Sequence, residues 1–392
     1  MRHKTFGDPM TAFPRTLFNK DHDSFRDTVR RFCETQIKPH MADWNAAHQV
    51  PPETWKQAGA LGMLNAWLAE EYGGIGQGIL FDIIVSEELG RIGATGPGFS
   101  LHSLIVTPYI NNRGSDELKA RILPRMVSGD AIGAVAMTEP GTGSDLAAIK
   151  TRAERHGNGW KINGQKTFIT NGQNADVVVT ACVTDPSKGA KGVSLFVIER
   201  EMAGFSRGRN LRKIGQHGND TAELFFEDVF VPGENLLGEE NKGFYYLMEE
   251  LAQERLLISV QCQARAEAAF EMTVDYVNER KAFGKKILDF QNTRFVLAGL
   301  KAELMAGRAF CDALIALRLA GKLDAVQASA GKLYHSELLG RVVDQCLQLF
   351  GGYGYMEEYP IAQAFVDARI ERIYAGTSEI MKEIIGRSLD KA

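Results

Sequence analysis

The spacing of apolar positions changes twice along the chain, and the first stretch is helical. From Asp23 to about Met126, apolar residues recur near a helical period, as in SFRDTVRRFCETQI and DELKARILPRMVSG, and glycine or proline breaks separate the segments. Asp21 and Asp23 are candidate N-caps of the first helix, because short acidic side chains bind free backbone N–H groups there. We therefore expect an N-terminal α-helical domain over residues 1–131.

The second stretch has the pattern of β-strands. WKINGQKTFITNG predicts two short strands around Asn163-Gly164, because Asn-Gly is a strong hairpin signal. The β-rich runs VVVTACV, GVSLFVIE and AELFFEDVFVP follow, with loops between them. Together they predict a middle β domain over residues 132–233, which ends near Pro232-Gly233.

The third stretch returns to helices, and these are much longer. A long segment without proline begins shortly after Asn241, and two further helices are expected from about Gln291 to Leu319 and from Asp324 to Phe350. Consecutive long helices with short connections are typical of an antiparallel bundle, here over residues 234–392. The predicted fold class is therefore α+β and multidomain, in the order helical, β and helical bundle.

Composition and charge exclude several classes of protein. The 392 residues carry 45 Lys and Arg against 49 Asp and Glu, and a net charge of −4 gives no electrostatic case for a nucleic acid or an anionic membrane surface. The 5 cysteines form no CxxC pair and the 8 histidines lack ligand spacing, so neither a disulfide framework nor a metal site is expected. The sequence has no membrane-length apolar run and no segment of signal-peptide type, which predicts a cytoplasmic protein.

The chain is rich in glycine, with 40 residues, and one cluster is a candidate ligand loop. AMTEPGTGSDLAAIKT places Gly141 and Gly143 among hydroxyl side chains, where the backbone can approach a ligand closely. Ser144 and Asp145 are also placed to cap a short helix, DLAAIK, whose N-terminus would favour an anion. An ordinary loop between a strand and that helix is the alternative.

Two further segments carry candidate binding residues. In QLFGGYGYMEEYPI, Gly351 and Gly352 end a long helix, where one glycine suffices for a cap and further ones suggest a molecule packed against the turn. In RKAFGKKILDFQ, Arg280 is placed either to pair with a phosphate or to lie in solvent as the cation that ends a helix.

Glu254 is the most informative single residue. Leu247, Leu251 and Ile258 define an apolar stripe on the long helix, and Glu254 falls within it. A carboxylate among leucines should have a raised pKa, which suits a general base that works near neutrality. The alternative is a narrower stripe, with Glu254 paired to a solvent-facing Lys or Arg, and the spacing alone does not decide between the two.

With these residues identified, the chain closely resembles the acyl-CoA dehydrogenase family, from about Phe25 to Leu389. TEPGTGSDL, FITNGQNAD, ERKAFGK, QLFGGYGY and YAGTSEIMKEIIGR occur in the family's order and approximate spacing. The resemblance implies a homotetramer of helical, β-barrel and four-helix-bundle domains, in which each subunit binds FAD and passes electrons to an electron-transferring flavoprotein in lipid metabolism.

The resemblance also implies individual site residues. On one subunit the matched FAD positions are Met137, Thr138, Ser144, Phe168, Ile169, Thr170, Thr377 and Glu379. A neighbouring subunit would contribute Arg280, Phe283, Gln291, Gln348, Gly351 and Gly352. The positions matched to the acyl-CoA substrate are Ser144, Gln253, Arg255, Tyr374, Ala375, Gly376 and Arg387.

One departure from the family pattern assigns the base. Most members have a Glu directly before the Gly-Thr of the YEGT motif, but here that position is Ala375, which cannot accept a proton. The isovaleryl-CoA and long-chain branches place the base on the long bundle helix instead, at the position that Glu254 occupies. The resemblance therefore implies that Glu254 takes the α-proton while the β-hydride goes to the flavin, which leaves a trans-2-enoyl-CoA.

Three other functions share these motifs. An acyl-CoA oxidase that uses dioxygen differs in access to the reduced flavin, and a non-catalytic FAD- or acyl-CoA-binding homologue would lack a base. A nitroalkane-type flavin oxidase is a third possibility without specific support. The sequence favours a long acyl chain only weakly, through LAQERLLIS and EIMKEI.

Overall fold

The computed structural model describes residues 13–390, which pack as two units. The helical unit comprises residues 13–34, 86–94 and 255–390, and the sheet unit comprises residues 35–85 and 95–254. The domain boundaries expected from the sequence, 1–131, 132–233 and 234–392, stay a prediction.

The chain before the sheet is helical, as its apolar spacing predicts. The α-helices are α1 Lys20–Phe32, α2 Met41–Ala47, α3 Pro52–Ala60, α4 Leu80–Arg91, α5 Phe99–Leu101, α6 Thr107–Arg113 and α7 Asp116–Ser128. Single π-helical turns, Cys33–Ile37 and His102–Val106, follow α1 and α5. A π-turn is uncommon and often lies at a functional site.

The cap of α1 differs from the prediction. Asn19 is the N-cap, and its side-chain oxygen accepts the backbone N–H groups of Asp21 at 3.0 Å and His22 at 3.1 Å. Asp21 and Asp23, expected as caps, lie inside the first turn, where their charge favours the positive end of the helix dipole. The prediction of those two aspartates as caps is wrong because Asn19 already satisfies the free donors.

The middle of the chain forms an eight-stranded sheet in the sheet unit. Its order is β6-β7-β3-β2-β4-β5-β8, with β1 paired in parallel to β4. The strands are β1 Gly133–Ala136, β2 Arg152–His156, β3 Gly159–Thr170, β4 Val177–Val183, β5 Val193–Glu199, β6 Phe205–Asn210, β7 Thr221–Pro232 and β8 Leu236–Leu237.

The predicted hairpin at Asn163-Gly164 is wrong. These residues lie inside the single strand β3, at a register shift against β7, and the turn that joins β2 to β3 is at residues 157–158. Gly164 has φ +148°, and a Cβ there would lie 2.6 Å from the Thr151 hydroxyl. A β-bulge needs the same unusual backbone as a tight turn, so the Asn-Gly signal is shared by both.

The sheet packs apolar side chains on both faces. Val178 and Cys182 of β4 lie in one core with Trp160 and Phe196. Val177, Val179 and Ala181 point the other way, because successive strand residues face opposite sides, and join a core with Ile122 and Met126 of α7. Burial on both faces explains the nearly continuous apolar sequence VVVTACV.

Long helices make up most of the helical unit. They are α8 Gly243–Glu279, α9 Gln291–Leu319, α10 Ala325–Phe350, α11 Pro360–Ala368 and α12 Ser378–Leu389. α8 begins in the sheet unit, and a short hairpin of β9 Lys281–Ala282 and β10 Lys285–Lys286 connects it to α9. The spans expected for α9 and α10 are confirmed, with Asp324 as the N-cap of α10.

A network of buried charges joins separate segments of the helical unit. Glu87 on α4 is fully buried and pairs with Arg15 at 2.8 Å, with Arg26 at 2.7 Å and with Arg308 at 2.9 Å. Arg308 on α9 also pairs with Glu267 on α8 at 2.6 Å. These contacts lower the pKa of Glu87 against the effect of its burial. The network therefore holds an ionised carboxylate in the core, since its partners compensate the lost hydration.

The five cysteines, all within the described residues, are free and buried. Burial raises the pKa of the Cys33, Cys182 and Cys311 thiols to about 12. Within residues 13–390, no group of His, Cys, Asp and Glu side chains has the arrangement of a metal site. None of the helices there is both long enough and apolar enough to cross a membrane.

Candidate functional site

Glu254 lies on α8 within the sheet unit and is buried, which is the first of the two alternatives that the spacing leaves open. Its residue is 3% exposed, between the buried Leu247 and Ile258. The Tyr109 hydroxyl, on α6, donates a hydrogen bond of 3.0 Å to Glu254 Oε1. A buried carboxylate with a neutral donor is an arrangement that can hold a general base in one orientation.

The preceding residue, Gln253, contacts the same segment of the sheet unit. Its side-chain amide donates to the Leu104 carbonyl at 2.7 Å, and the residue is 7% exposed. Leu104 belongs to the π-turn His102–Val106, in which carbonyls are shifted from the regular α-helical pattern. Residues predicted to bind substrate and to act as base therefore both contact residues 104–109.

The glycine-rich loop after β1 rests on a buried ion pair. Lys166 on β3 pairs with Glu139 at 2.9 Å and donates to the Met137 carbonyl at 3.0 Å. Glu139 in turn accepts the backbone N–H groups of Lys150 at 2.7 Å and Thr151 at 2.9 Å. These bonds fix the start and the end of the loop, so that its middle is presented to the surface.

The middle of this loop is open. Gly141 and Gly143 are exposed, and a Cβ built on either would meet no atom within 4 Å. Ser144 is also exposed, while Met137 and Thr138 are half-buried. The expected helix DLAAIK is wrong: only one 3₁₀ turn, Leu146–Ala148, forms, and Asp145 makes no side-chain cap bond. An anion site at a helix N-terminus is therefore not present in this loop.

A second bulge in β3 presents an aromatic ring. The register against β7 shifts between Lys166 and Ile169, and Phe168 within the shift has φ +59° and is 68% exposed. Ile169 is buried and Thr170 half-buried. Because a bulge redirects one side chain, Phe168 leaves the core face and offers an apolar surface next to the loop at Thr138, whose carbonyl accepts the Thr167 N–H at 2.9 Å.

In the helical unit, Tyr374–Thr377 form a turn with unusual backbone. Ala375 has φ +51° and Gly376 has φ +93°. The fully buried Lys332 donates to the Gly376 carbonyl at 2.6 Å, and the Tyr374 hydroxyl donates to Glu371 at 2.7 Å. Burial lowers the pKa of Lys332. Side chains thus hold this turn on both sides of Ala375.

The remaining predicted residues of the helical unit lie in several places. Thr377 caps α12 by accepting the Ile380 N–H, and backbone and Thr377 hydrogen bonds lower the pKa of the exposed Glu379. Arg255 donates to the Ser329 hydroxyl at 3.2 Å, whereas Arg387 is exposed and pairs with Glu383.

The residues predicted to reach FAD from a neighbouring subunit are mostly exposed. Phe283 is 95% exposed, and Arg280 lies over the Tyr353 ring at 5.3 Å. Gly351 adopts φ +60° at the end of α10, which explains why a glycine is needed there. Gln291, Gln348 and Gly352 are also exposed. Surface aromatic and glycine residues of this kind leave room for a bound ligand or subunit.

Three polar residues that support these segments are not among those predicted from the sequence: Tyr109, Lys166 and Lys332. The burial of Lys332 can be predicted from the sequence, because it lies at helical spacing from the buried Ala328, His335 and Leu339. The contact of Tyr109 cannot be predicted in this way, because its partner is 145 positions away.

The residues present fit FAD. The open loop at Gly141 and Gly143 can accept a phosphate or ribityl chain against the backbone, and the exposed Phe168 can cover an aromatic ring.

Comparisons with known proteins identify the family. The acyl-CoA dehydrogenase N-terminal, middle and C-terminal domain models match residues 19–130, 134–229 and 241–389. The mitochondrial long-chain specific acyl-CoA dehydrogenase of Sus scrofa is 50% identical over 96% of this chain and 88% of its own length. An acyl-CoA dehydrogenase structure from Geobacillus kaustophilus is 47% identical with a TM-score of 0.95, and covers 96% of this chain and 100% of that one.

A glutaryl-CoA dehydrogenase from Mycobacterium smegmatis, solved with FADH2, is 30% identical with a TM-score of 0.88 and covers 96% of both chains. These matches extend over nearly the whole chain and over all three parts of the fold. The chain therefore belongs to the acyl-CoA dehydrogenase family, and it is a flavin-dependent enzyme that uses FAD to dehydrogenate acyl-CoA thioesters.

Proposed function

We propose that Glu254 is the general base that removes the α-proton of the acyl-CoA thioester. The observation that carries this proposal is the buried carboxylate on α8, which accepts the Tyr109 hydroxyl, combined with an alanine at position 375. When bound, FAD accepts the β-hydride, and the product is a trans-2-enoyl-CoA. Burial of Glu254 supports the role, because it excludes the water that would otherwise compete for the proton.

The Ala375 backbone N–H polarises the thioester carbonyl in this proposal, which makes the α-proton more acidic. The turn is suited to this role because Lys332 holds the Gly376 carbonyl and Glu371 holds the Tyr374 hydroxyl. Gln253, Arg255, Ser144 and Arg387 are proposed as the further substrate contacts. A donor that is held in place before substrate binds needs no reorganisation during the reaction.

FAD is proposed to lie against the loop and bulge of the sheet unit. The residues assigned to it are Met137, Thr138, Ser144, Phe168, Ile169, Thr170, Thr377 and Glu379, with Arg280, Phe283, Gln291, Gln348, Gly351 and Gly352 from a neighbouring subunit of a homotetramer. Exposure of Phe283 and of the α10 end supports a contribution in trans. A monomeric mass in solution for the FAD-loaded enzyme would contradict that part of the proposal.

The base is tested by replacing Glu254 with Gln, which removes the proton acceptor and keeps the shape. We expect FAD binding to be retained and kcat to fall by about 1000-fold or more, because the amide of Gln cannot take the proton. Glu249→Gln is the matched control, an exposed carboxylate on the same helix that should keep its turnover. Near-normal turnover of Glu254→Gln would rule the assignment out.

A second arm of that experiment moves the base. Most members of the family carry the Glu at the position of Ala375, so Ala375→Glu should return part of the activity to the Glu254→Gln enzyme. The absence of any recovery would count against equivalence of the two positions.

Long straight-chain thioesters are the proposed substrates. The support is the long-chain specificity printed in the name of the Sus scrofa relative and the small side chain at position 375. Assayed with an artificial electron acceptor from about C4 to about C18, kcat/KM should rise with length, since each methylene in an apolar pocket adds about 1 kcal/mol of discrimination. A maximum at C4, or at a short branched chain such as isovaleryl-CoA, would contradict it.

The proposed electron acceptor is an electron-transferring flavoprotein. Stoichiometric peroxide in air would instead identify an acyl-CoA oxidase. Failure of an acyl-CoA to bleach the flavin under anaerobic conditions would identify a non-catalytic homologue.

The proposed compartment is the cytoplasm. Microscopy of the tagged chain tests this assignment, and a mitochondrial location, as for the Sus scrofa relative, would contradict it.

A further inference from the structure

The Tyr109 side chain is a fully buried phenol whose hydroxyl contacts the proposed base. It is 0% exposed, and it donates to Glu254 Oε1 over 3.0 Å. Both residues belong to the sheet unit. The phenol cannot act as a proton acceptor here, because burial and the neighbouring Glu254 and Glu250 carboxylates raise the pKa of Tyr109 well above its ordinary value. It therefore stays a neutral hydrogen-bond donor.

The backbone that carries Tyr109 is fixed by buried hydrogen bonds. The Thr107 hydroxyl donates to the His102 carbonyl at 2.8 Å, and the His102 ring accepts the Gly133 N–H at 3.0 Å. His102 also bonds the Met126 carbonyl through its other ring nitrogen at 2.9 Å. α6 therefore begins from a segment that is tied to both α7 and β1, which leaves the Tyr109 hydroxyl little freedom.

The same segment contacts α8 one residue earlier. The Leu104 carbonyl, in the π-turn, accepts the Gln253 amide at 2.7 Å. The consecutive α8 side chains of Gln253 and Glu254 are thus hydrogen-bonded to Leu104 and Tyr109, which lie five positions apart in one continuous segment. A helix fixes the backbone of a residue but does not fix the three torsions of a Glu side chain, so the Tyr109 hydrogen bond contributes to holding the Glu254 carboxylate in one orientation.

We propose that Tyr109 is a positioning residue for catalysis, which orients the Glu254 carboxylate towards the substrate α-carbon. This inference rests on the proposed role of Glu254 as base. The proton passes from the α-carbon to the Glu254 carboxylate, while Tyr109 keeps its own proton throughout.

Tyr109→Phe tests this role because it removes the hydroxyl and keeps the ring. We expect kcat to fall by about 10- to 100-fold with KM within about twofold, since only proton transfer loses its alignment. The isotope effect on kcat with α-deuterated substrate should rise, because proton abstraction becomes more rate-limiting. FAD content and thermal unfolding should stay close to those of the wild type.

The matched control is Tyr246→Phe, which removes the hydroxyl of a different buried tyrosine. Tyr246 lies on α8, and its hydroxyl accepts the Glu239 N–H at 3.1 Å. The kcat and isotope effect of this variant should be those of the wild type. Where Tyr109→Phe does not fold, Tyr109→Met is the second variant without a donor, and the same loss is expected. A kcat within about twofold of wild type in either folded variant overturns the proposal.

The outcome is separable from that of the proposed function. Loss of turnover in Glu254→Gln with full turnover in Tyr109→Phe would reject the positioning role alone. Full turnover in Glu254→Gln would reject the base itself. A general structural defect can lower kcat without slowing proton abstraction selectively. A fall in kcat for Tyr109→Phe with an unchanged isotope effect would therefore also reject the positioning role.

Discussion

At the scale of single residues, Asp82 illustrates how burial creates a pH response. It is 1% exposed in the sheet unit, and the Trp67 N–H donates to it at 3.0 Å. Burial raises the pKa of this carboxyl to about 7, although hydrogen bonds oppose the shift. The folded chain therefore keeps a proton that the unfolded chain releases at lower pH.

The sign of the resulting stability change follows from that difference. Between the ordinary pKa of an aspartate, about 4, and the raised pKa of Asp82, the native state binds more protons than the unfolded state. The free energy of unfolding therefore falls as pH rises through this range, and it no longer depends on Asp82 at pH values above the raised pKa. Asp82→Asn removes this dependence. Relative to wild type, its free energy of unfolding should rise by about 2 to 3 kcal/mol between about pH 5 and about pH 8.

Urea unfolding of both proteins at the two pH values measures this difference, with FAD content held equal. A difference that is the same at both values would mean that Asp82 is ionised in the native state as well.

The site could be anticipated from sequence only where one element carries the information. Glu254 is detectable because a single helix reveals which of its faces is buried, and the same argument applied to α10 would have found Lys332. Tyr109 is invisible to such an argument, since its role depends on α6 and α8 meeting in space. Contacts between distant elements are set by packing, and no local pattern encodes them.

At the scale of elements, long uniform segments are predicted well and local irregularities are not. α9 runs from Gln291 to Leu319 as expected, because a long apolar period without proline leaves no other structure for it. The error at Asn163-Gly164 arises because a bulge and a hairpin turn need the same backbone freedom. Only the partner strand distinguishes them: Asn163 donates to Asp228 on β7 at 2.9 Å, so β3 continues past the glycine.

The second bulge of β3 matters more for function than the first. FITNGQNAD resembles a family motif, but nothing in its alternation indicates that Phe168 leaves the core face. Lys166, two positions earlier, is buried where a strand of this polarity would normally expose it. The ion pair with Glu139 therefore connects the loop to β3 two positions before the exposed Phe168.

At the scale of the whole molecule, the chain uses charge as well as apolar surface to join remote segments. Glu87 contacts arginines that come from residues 13–34 and from α9, so one carboxylate connects three stretches of the helical unit. Removal of one partner from a buried ionic cluster is costly, because the charges that remain cannot be rehydrated.

Glu87→Gln should accordingly lower the free energy of unfolding by about 3 kcal/mol and reduce Tm by several degrees. Differential scanning calorimetry of the FAD-loaded enzyme measures the change. Glu358→Gln, which removes an exposed charge from the same unit, is the control and should leave Tm unaltered. Equal Tm values for the two variants would show that the buried network contributes no net stability.

The burial of all five native thiols has a practical consequence for labelling this enzyme. With all five cysteines buried, and with the pKa of each thiol raised, the folded chain presents no nucleophilic sulfur to a maleimide. A single cysteine introduced at an exposed position, such as Glu358, becomes a unique attachment point for a fluorophore or a spin label without prior removal of the natural ones. The labelled enzyme can therefore be used for distance measurements during turnover.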